Sequence, residues 1–135
     1  MSRRRAAAAA APVALVAWLA GCGTATEDLM AIEVTGGPAH VHERIRVTDD
    51  GRASCGGPLH QISSQVLLDA RETKRRLRPF ARNGASFLSA RAGARQYVFR
   101  SFDGTVRFTE GASGPAALGR ATLLALRLER ELCRR

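Results

Sequence analysis

The first 21 residues separate a leader from the body of this 135-residue chain. Three arginines at residues 3–5 precede an uncharged stretch, residues 6–19, that contains six consecutive alanines. The stretch has about 14 residues, whereas a helix needs about 20 apolar residues to cross a bilayer. A basic start followed by a short apolar segment is typical of a secretory signal peptide, which we predict over residues 1–21. An uncleaved anchor helix is the alternative, and Pro12 argues against it.

The leader ends in Leu19-Ala20-Gly21-Cys22, which resembles the lipobox of bacterial lipoproteins. The resemblance implies that signal peptidase II cleaves after Gly21 and that Cys22 carries acyl chains. Two or three such chains hold a protein stably on a membrane, whereas one chain gives marginal binding. We therefore expect a lipidated tether over residues 22–30, one folded domain over residues 31–135, and a location at the extracytoplasmic face of the cell membrane.

The body of the chain is basic. The chain has 21 Lys+Arg against 12 Asp+Glu, and loss of the leader with its three arginines lowers the net charge from +9 to +6. Lys74 is the only lysine, so the arginine content is consistent with a GC-rich genome. Binding to single strands needs aromatic residues among the cations, and duplex binding needs a recognisable reading motif. Neither pattern is present, and we expect no nucleic-acid partner.

The first half of the body alternates apolar and polar residues, which predicts strands at residues 32–34, 41–47 and 52–55. The last two flank Asp49-Asp50-Gly51 and predict a hairpin. A three-residue loop pairs Ile45 with Cys55, whereas a two-residue loop places Cys55 beside Arg46. We favour the first register because it puts Cys55 on the apolar face.

A second hairpin is predicted around Asp103-Gly104, with strands at residues 96–102 and 105–109. A two-residue type I′ turn pairs Phe99 with Phe108 and Ser101 with Val106. It also sets Arg100 opposite Arg107. Two like charges are tolerable only in water, so we expect that face of the hairpin to be exposed.

Helical spacing of apolar residues predicts two helices. The first begins at Ser63 or Ser64, is ended or kinked by Pro79, and precedes a linker over residues 85–95. Its predicted buried stripe is Val66, Ala70, Thr73, Leu77 and Phe80 or Ala81. The second opens at Pro115, and its stripe is Ala117, Ala121, Leu124, Ala125, Leu128 and Leu132. The predicted class is α+β: a small antiparallel sheet of two hairpins packed by two amphipathic helices, in the order ββ(β)α-ββα.

Cys55 and Cys133 remain once Cys22 is assigned to the lipid, and an even pair in an oxidising compartment predicts a disulfide. On the chain-entropy account, closing so long a loop stabilises the fold by roughly 4.5 kcal/mol. Two unpaired thiols are the alternative.

Three histidines and a run of cations are the other candidate site residues. His40 and His42 are predicted on one side of a strand, where they chelate a metal only if a third ligand such as His60 reaches them. Exposed strand histidines are the simpler interpretation, and we predict no metal or other cofactor. Cations crowd one helix face, which predicts either a solvated face or contact with anionic lipid or an acidic partner. They are Arg71, Lys74, Arg75, Arg76, Arg78 and Arg82.

No motif for a nucleophile, a zinc protease or a phosphate loop is present in the sequence, so we predict that the protein is not an enzyme. The segment Ile32-Glu33-Val34-Thr35-Gly36-Gly37-Pro38-Ala39 resembles the start of emfourin-type proteins, which are small bacterial inhibitors of thermolysin-like metalloproteases. That resemblance implies a rigid loop presented to a protease cleft. We expect a lipid-anchored envelope domain that binds another protein, with a protease as one such partner. The alternative is a lipoprotein that binds a small ligand or a metal through His40, His42 and His60.

Overall fold

The computed structural model describes residues 27–134, so the predicted leader and Cys22 lie outside the described residues. The strands are β1 (Asp28–Gly36), β2 (Val41–Thr48), β3 (Arg52–Cys55), β4 (His60–Gln61), β5 (Ser86–Phe87), β6 (Gln96–Ser101) and β7 (Gly104–Thr109). The helices are α1 (Ser64–Arg82) and α2 (Ala117–Leu128), and α2 continues into a π-helical turn at Glu129–Cys133. Within the described part, no helix is long and apolar enough to cross a membrane.

The seven strands form one sheet in the order β4-β3-β2-β1-β6-β7-β5. The α+β class is confirmed, but the sheet is mixed because β5 runs parallel to β7. The predicted purely antiparallel sheet is therefore wrong at this edge, where the predicted linker over residues 85–95 supplies β5. A strand of two residues is too short to show an alternating pattern in sequence. Phe87 anchors it through an edge-on contact with Phe80 of α1, their ring centroids 5.8 Å apart.

The first hairpin has the predicted register. Ile45 pairs with Cys55, and Gly51 closes the turn with φ of 86°. Such a positive φ is one that glycine adopts without steric cost. β1 begins at Asp28, three residues before the predicted domain boundary, because Leu29 and Met30 are buried in the core and not part of a tether.

The second hairpin has a different register from the predicted one. Phe99 pairs with Val106, Arg100 with Thr105 and Ser101 with Gly104, so Phe102 and Asp103 form the turn. Gly104 explains the shift: a Cβ on it would lie 2.2 Å from a backbone carbonyl oxygen of α1, so only glycine fits there. The slip is by two residues, which leaves each side chain on its predicted face.

Helix α1 begins as predicted, with the Ser63 hydroxyl accepting a hydrogen bond from the Val66 backbone N–H at 3.2 Å. Its buried residues match the predicted stripe, with Ala81 in the last place: Val66, Ala70, Thr73, Leu77 and Ala81. Pro79 does not end the helix, which continues to Arg82. Pro79 lies on the exposed face, where water can satisfy the carbonyl that loses its helical partner.

Helix α2 buries four residues of the predicted stripe, Ala121, Leu124, Ala125 and Leu128. Leu118 takes the place of Ala117, which is only partly buried, and Leu132 is also partly buried and lies in the π-helical turn. Both helices pack on one face of the sheet. Beneath them lies a core built from Ile32, Val34, Ile45, Val47, Tyr97, Phe99, Val106 and Phe108. The aromatic members stack, with the Tyr97 and Phe108 centroids 5.1 Å apart. The aromatic hairpin thus supplies much of the apolar area that drives folding.

Three features lie at one end of the sheet: the start of β1, the β2–β3 turn and the β6–β7 turn. Ala31 pairs with Arg100, so the residues before Ala31 lie level with those after Arg100. The backbone N–H of Asp49 donates to the carbonyl of Glu27 at 3.1 Å. Helix α1 extends across this end, from the β2–β3 turn near its first residues to Gly104 near its last.

Candidate functional site

A groove with a volume of about 570 Å³ lies between α1 and α2. Four arginines stand on its walls: Arg76, Arg120, Arg127 and Arg130. Leu124 and Ala117 contribute apolar floor, and Leu123 projects at its edge with 70% of its surface exposed. The groove therefore combines an apolar surface with an excess of cations.

Two of these arginines have acidic neighbours within the protein. Arg127 lies 3.3 Å from Asp69 and 3.2 Å from Glu131. Arg76 donates to Glu72 at 2.6 Å. Hydrogen bonds from Arg75 and Arg76 lower the pKa of the Glu72 carboxyl to about 2. Among residues 27–134, Arg120 and Arg130 make no ion pair, so their charges are available to an anionic ligand.

Thr73 borders the groove from α1 and is fully buried. A threonine inside a helix commonly donates to the carbonyl four residues earlier. The Thr73 hydroxyl makes no hydrogen bond within the described chain. Leaving a buried hydroxyl unsatisfied costs about 1–3 kcal/mol.

The other flank of α1 carries the predicted cations Arg71, Lys74, Arg75, Arg78 and Arg82, which we call the basic flank. Arg71 lies 3.3 Å from Asp49 in the β2–β3 turn, and Arg78 lies 3.1 Å from Asp103 in the β6–β7 turn. Phe102 lies in the β6–β7 turn beside Asp103, with 97% of its surface exposed. Phe102 was not among the predicted site residues because the predicted hairpin register placed it in a strand.

The predicted disulfide between Cys55 and Cys133 is confirmed, with Cα atoms 5.3 Å apart. It joins the end of β3 to the π-helical turn after α2. The two cysteines and Glu43 form the one grouping with metal-ligand spacing in the described part of the chain. The sulfurs of Cys55 and Cys133 are bonded to each other, so neither cysteine is a free thiolate that could bind a metal.

A cluster of buried charges beside the disulfide was missed from sequence. Glu129 is 2% exposed, and its carboxylate accepts hydrogen bonds from Arg95 at 2.7 and 3.1 Å. The pKa of Glu43 is raised, mainly by burial and to a smaller extent by the neighbouring carboxyl of Glu129. A signal for Glu129 was present, since it lies four residues after the buried Ala125 and therefore on the apolar side of the helix.

The three histidines are exposed and do not converge. His40 lies in the β1–β2 turn with φ of 48°, so the prediction that it shares a strand face with His42 is wrong. The glycine-rich turn reverses the chain before β2 begins. His42 lies 3.6 Å from Glu33, and His60 is on the edge strand β4. Within residues 27–134, the grouping with metal-ligand spacing contains no histidine.

Comparisons of the chain with family models, curated proteins and solved structures give no match. The resemblances of the leader to lipoproteins and of residues 32–39 to emfourin-type proteins thus stay predictions.

Proposed function

We propose that this protein is a non-enzymatic, lipid-anchored component of the cell envelope whose folded domain binds an acidic protein partner in the groove between α1 and α2. The anchor rests on the Arg-rich leader and on Cys22, as the sequence predicts. The binding role rests on one observation above all: within residues 27–134, Arg120 and Arg130 make no ion pair, and they line the same groove as the 70%-exposed side chain of Leu123.

Arginine is enriched at the energetic centres of protein interfaces. Arginine offers a planar fork of donors that matches a carboxylate, whereas the apolar floor takes a leucine or an aromatic ring. The groove is partly open to solvent, so it suits a segment of a protein better than an enclosed small molecule. The partner we infer presents one or more Asp or Glu side chains next to an apolar residue.

The matched experiment reverses charge inside and outside the groove. Arg120→Glu with Arg130→Glu alters the groove, and Arg44→Glu with Arg107→Glu alters two exposed arginines on the opposite face of the sheet. Each double variant changes the net charge equally. The protein is crosslinked in intact membranes, purified, and compared with wild type for the proteins recovered.

We expect a partner that wild type and the sheet-face variant recover and that the groove variant loses. Recovery of the same partners by all three proteins, or of no reproducible partner, contradicts the binding role. Mass spectrometry of the purified protein tests the anchor separately: an intact leader with an unmodified Cys22 contradicts it.

Inhibition of a metalloprotease is a second candidate function, supported by the β1–β2 turn. Gly36, Gly37 and His40 all have positive φ in this turn, and the His40 backbone N–H donates to the carbonyl of Gly37 at 3.1 Å. These constraints hold residues 38–40 as an exposed, rigid turn of the kind that fits a protease cleft. Titration of a thermolysin-like metalloprotease with the purified protein should then give stoichiometric inhibition. Full protease activity at excess protein rejects this candidate.

A further inference from the structure

We propose that the anchored domain lies on an anionic lipid surface through the basic flank of α1, with the ring of Phe102 inserted among the headgroups. This orientation rests on the proposed lipid anchor at Cys22. It leaves the groove between α1 and α2 open to a partner.

The chain enters the domain at this surface. Glu27 is held beside Asp49, whose side chain in turn contacts Arg71 of the basic flank. Cys22 precedes Glu27 by five residues, so the described domain begins no more than about 18 Å from the acylated residue. A tether this short keeps one end of the sheet near the bilayer, and that end carries the β2–β3 and β6–β7 turns.

Phe102 is the most exposed large apolar side chain in the described domain, and it stands at the tip of a two-residue turn at this end. Exposure of a phenylalanine ring to water is unfavourable, and aromatic side chains are favoured at the headgroup level of a membrane. Leu88, another exposed apolar residue, follows β5, which is parallel to β7, and so lies toward the other end of the sheet. Phe102 and Leu88 therefore mark opposite ends of the sheet.

The charges around Phe102 suit anionic lipid. Three carboxylates, Asp49, Glu72 and Asp103, pair with arginines of the basic flank, and Asp103 is largely covered. Exposed ion pairs are weak, so the arginines can exchange a carboxylate for a lipid phosphate at little cost. Each basic residue near an anionic surface strengthens binding about fivefold.

The membrane surface and the partner groove lie on opposite flanks of α1. Side chains advance by about 100° per residue along a helix. Arg71, Arg75 and Arg78 consequently project away from the side that carries Asp69 and Arg76. A domain that rests on its basic flank therefore keeps the groove free of lipid.

The test uses a single indole as a depth probe. Trp18 of the leader is the only tryptophan, so Phe102→Trp in a Trp18→Phe background reports on the turn alone. The purified protein is reconstituted into phosphatidylcholine vesicles with and without phosphatidylglycerol. Leu88→Trp in the same background is the matched probe at the other end of the sheet.

We expect the indole at position 102 to shift its emission to the blue on anionic vesicles and to be quenched by brominated acyl chains, while the probe at position 88 stays in water. Adding Arg75→Gln and Arg78→Gln should weaken this contact by about fivefold per charge, whereas Arg120→Gln with Arg130→Gln should leave it unchanged. Equal emission of the position 102 probe on neutral and anionic vesicles, with no quenching, overturns the proposal.

The proposed anchor at Cys22 and the proposed orientation on lipid are tested by separate measurements. Mass spectrometry of the same protein shows whether Cys22 is acylated. The indole at position 102 reports lipid contact whether or not acyl chains bring the domain to the vesicle. An acylated protein with a water-exposed probe refutes the orientation alone, and an unacylated protein refutes the anchor.

Discussion

Removal of the disulfide should strongly destabilise the domain. The bond between Cys55 and Cys133 closes a loop with a sequence separation of 78 residues, which includes both helices and four of the seven strands. On the chain-entropy account, a loop of this length restricts the unfolded chain by about 4.5 kcal/mol. For a domain of this size each kcal/mol lowers the melting temperature by about 4–8 °C, so the variant should melt roughly 18–36 °C lower.

Cys55→Ala with Cys133→Ala is the variant, and urea unfolding followed by circular dichroism is the measurement. Wild-type protein in reductant should lose a similar free energy of unfolding, and reductant should not affect the variant. A loss smaller than about 1 kcal/mol would refute the reasoning, because the unfolded chain would then gain little freedom from the open loop.

Three other predictions concern single side chains. Burial and a neighbouring carboxyl raise the pKa of Glu43 in the folded protein above 4.5, its ordinary value. The folded state therefore disfavours the ionised carboxylate, and the protein loses stability as the pH rises from 4.5 through the raised pKa. Glu43→Gln should therefore melt higher than wild type at pH 7 and equally at pH 4. Gly104→Ala should cost about 2 kcal/mol more than Gly111→Ala, since both have positive φ but only Gly104 meets backbone of α1. Thr73→Val should gain about 1 kcal/mol, because the buried hydroxyl has no protein partner.

Each of these predictions has a measurement that can contradict it. Thermal melts at both pH values test the prediction for Glu43. Equal melting temperatures of variant and wild type at pH 7 would show that the ionised Glu43 carboxylate does not destabilise the fold. Urea unfolding tests the other two. Equal losses for the glycine variants would mean that α1 adjusts to the added Cβ, and a loss of stability in Thr73→Val would mean that the hydroxyl has a partner.

The site could be predicted from sequence only in part. The cations of the basic flank are visible as a run of residues, and their helical spacing places them away from the buried stripe. The groove could not be foreseen, because it arises where α1 and α2 meet, and Asp69 and Arg127 come together across 58 residues of sequence. The buried pair of Arg95 and Glu129 depends on the same long-range packing.

Features that depend on local spacing could be predicted from the residues alone. Helical periodicity and the Ser63 cap placed α1, the turn at Gly51 set the first hairpin, and the cysteine count paired Cys55 with Cys133. The register of the second hairpin and the parallel strand β5 depend on contacts between elements that are distant in the chain. Either register puts the same residues on the apolar face, so only the close approach of Gly104 to α1 distinguishes them. A local pattern cannot encode a contact between residues that meet only when the chain has folded.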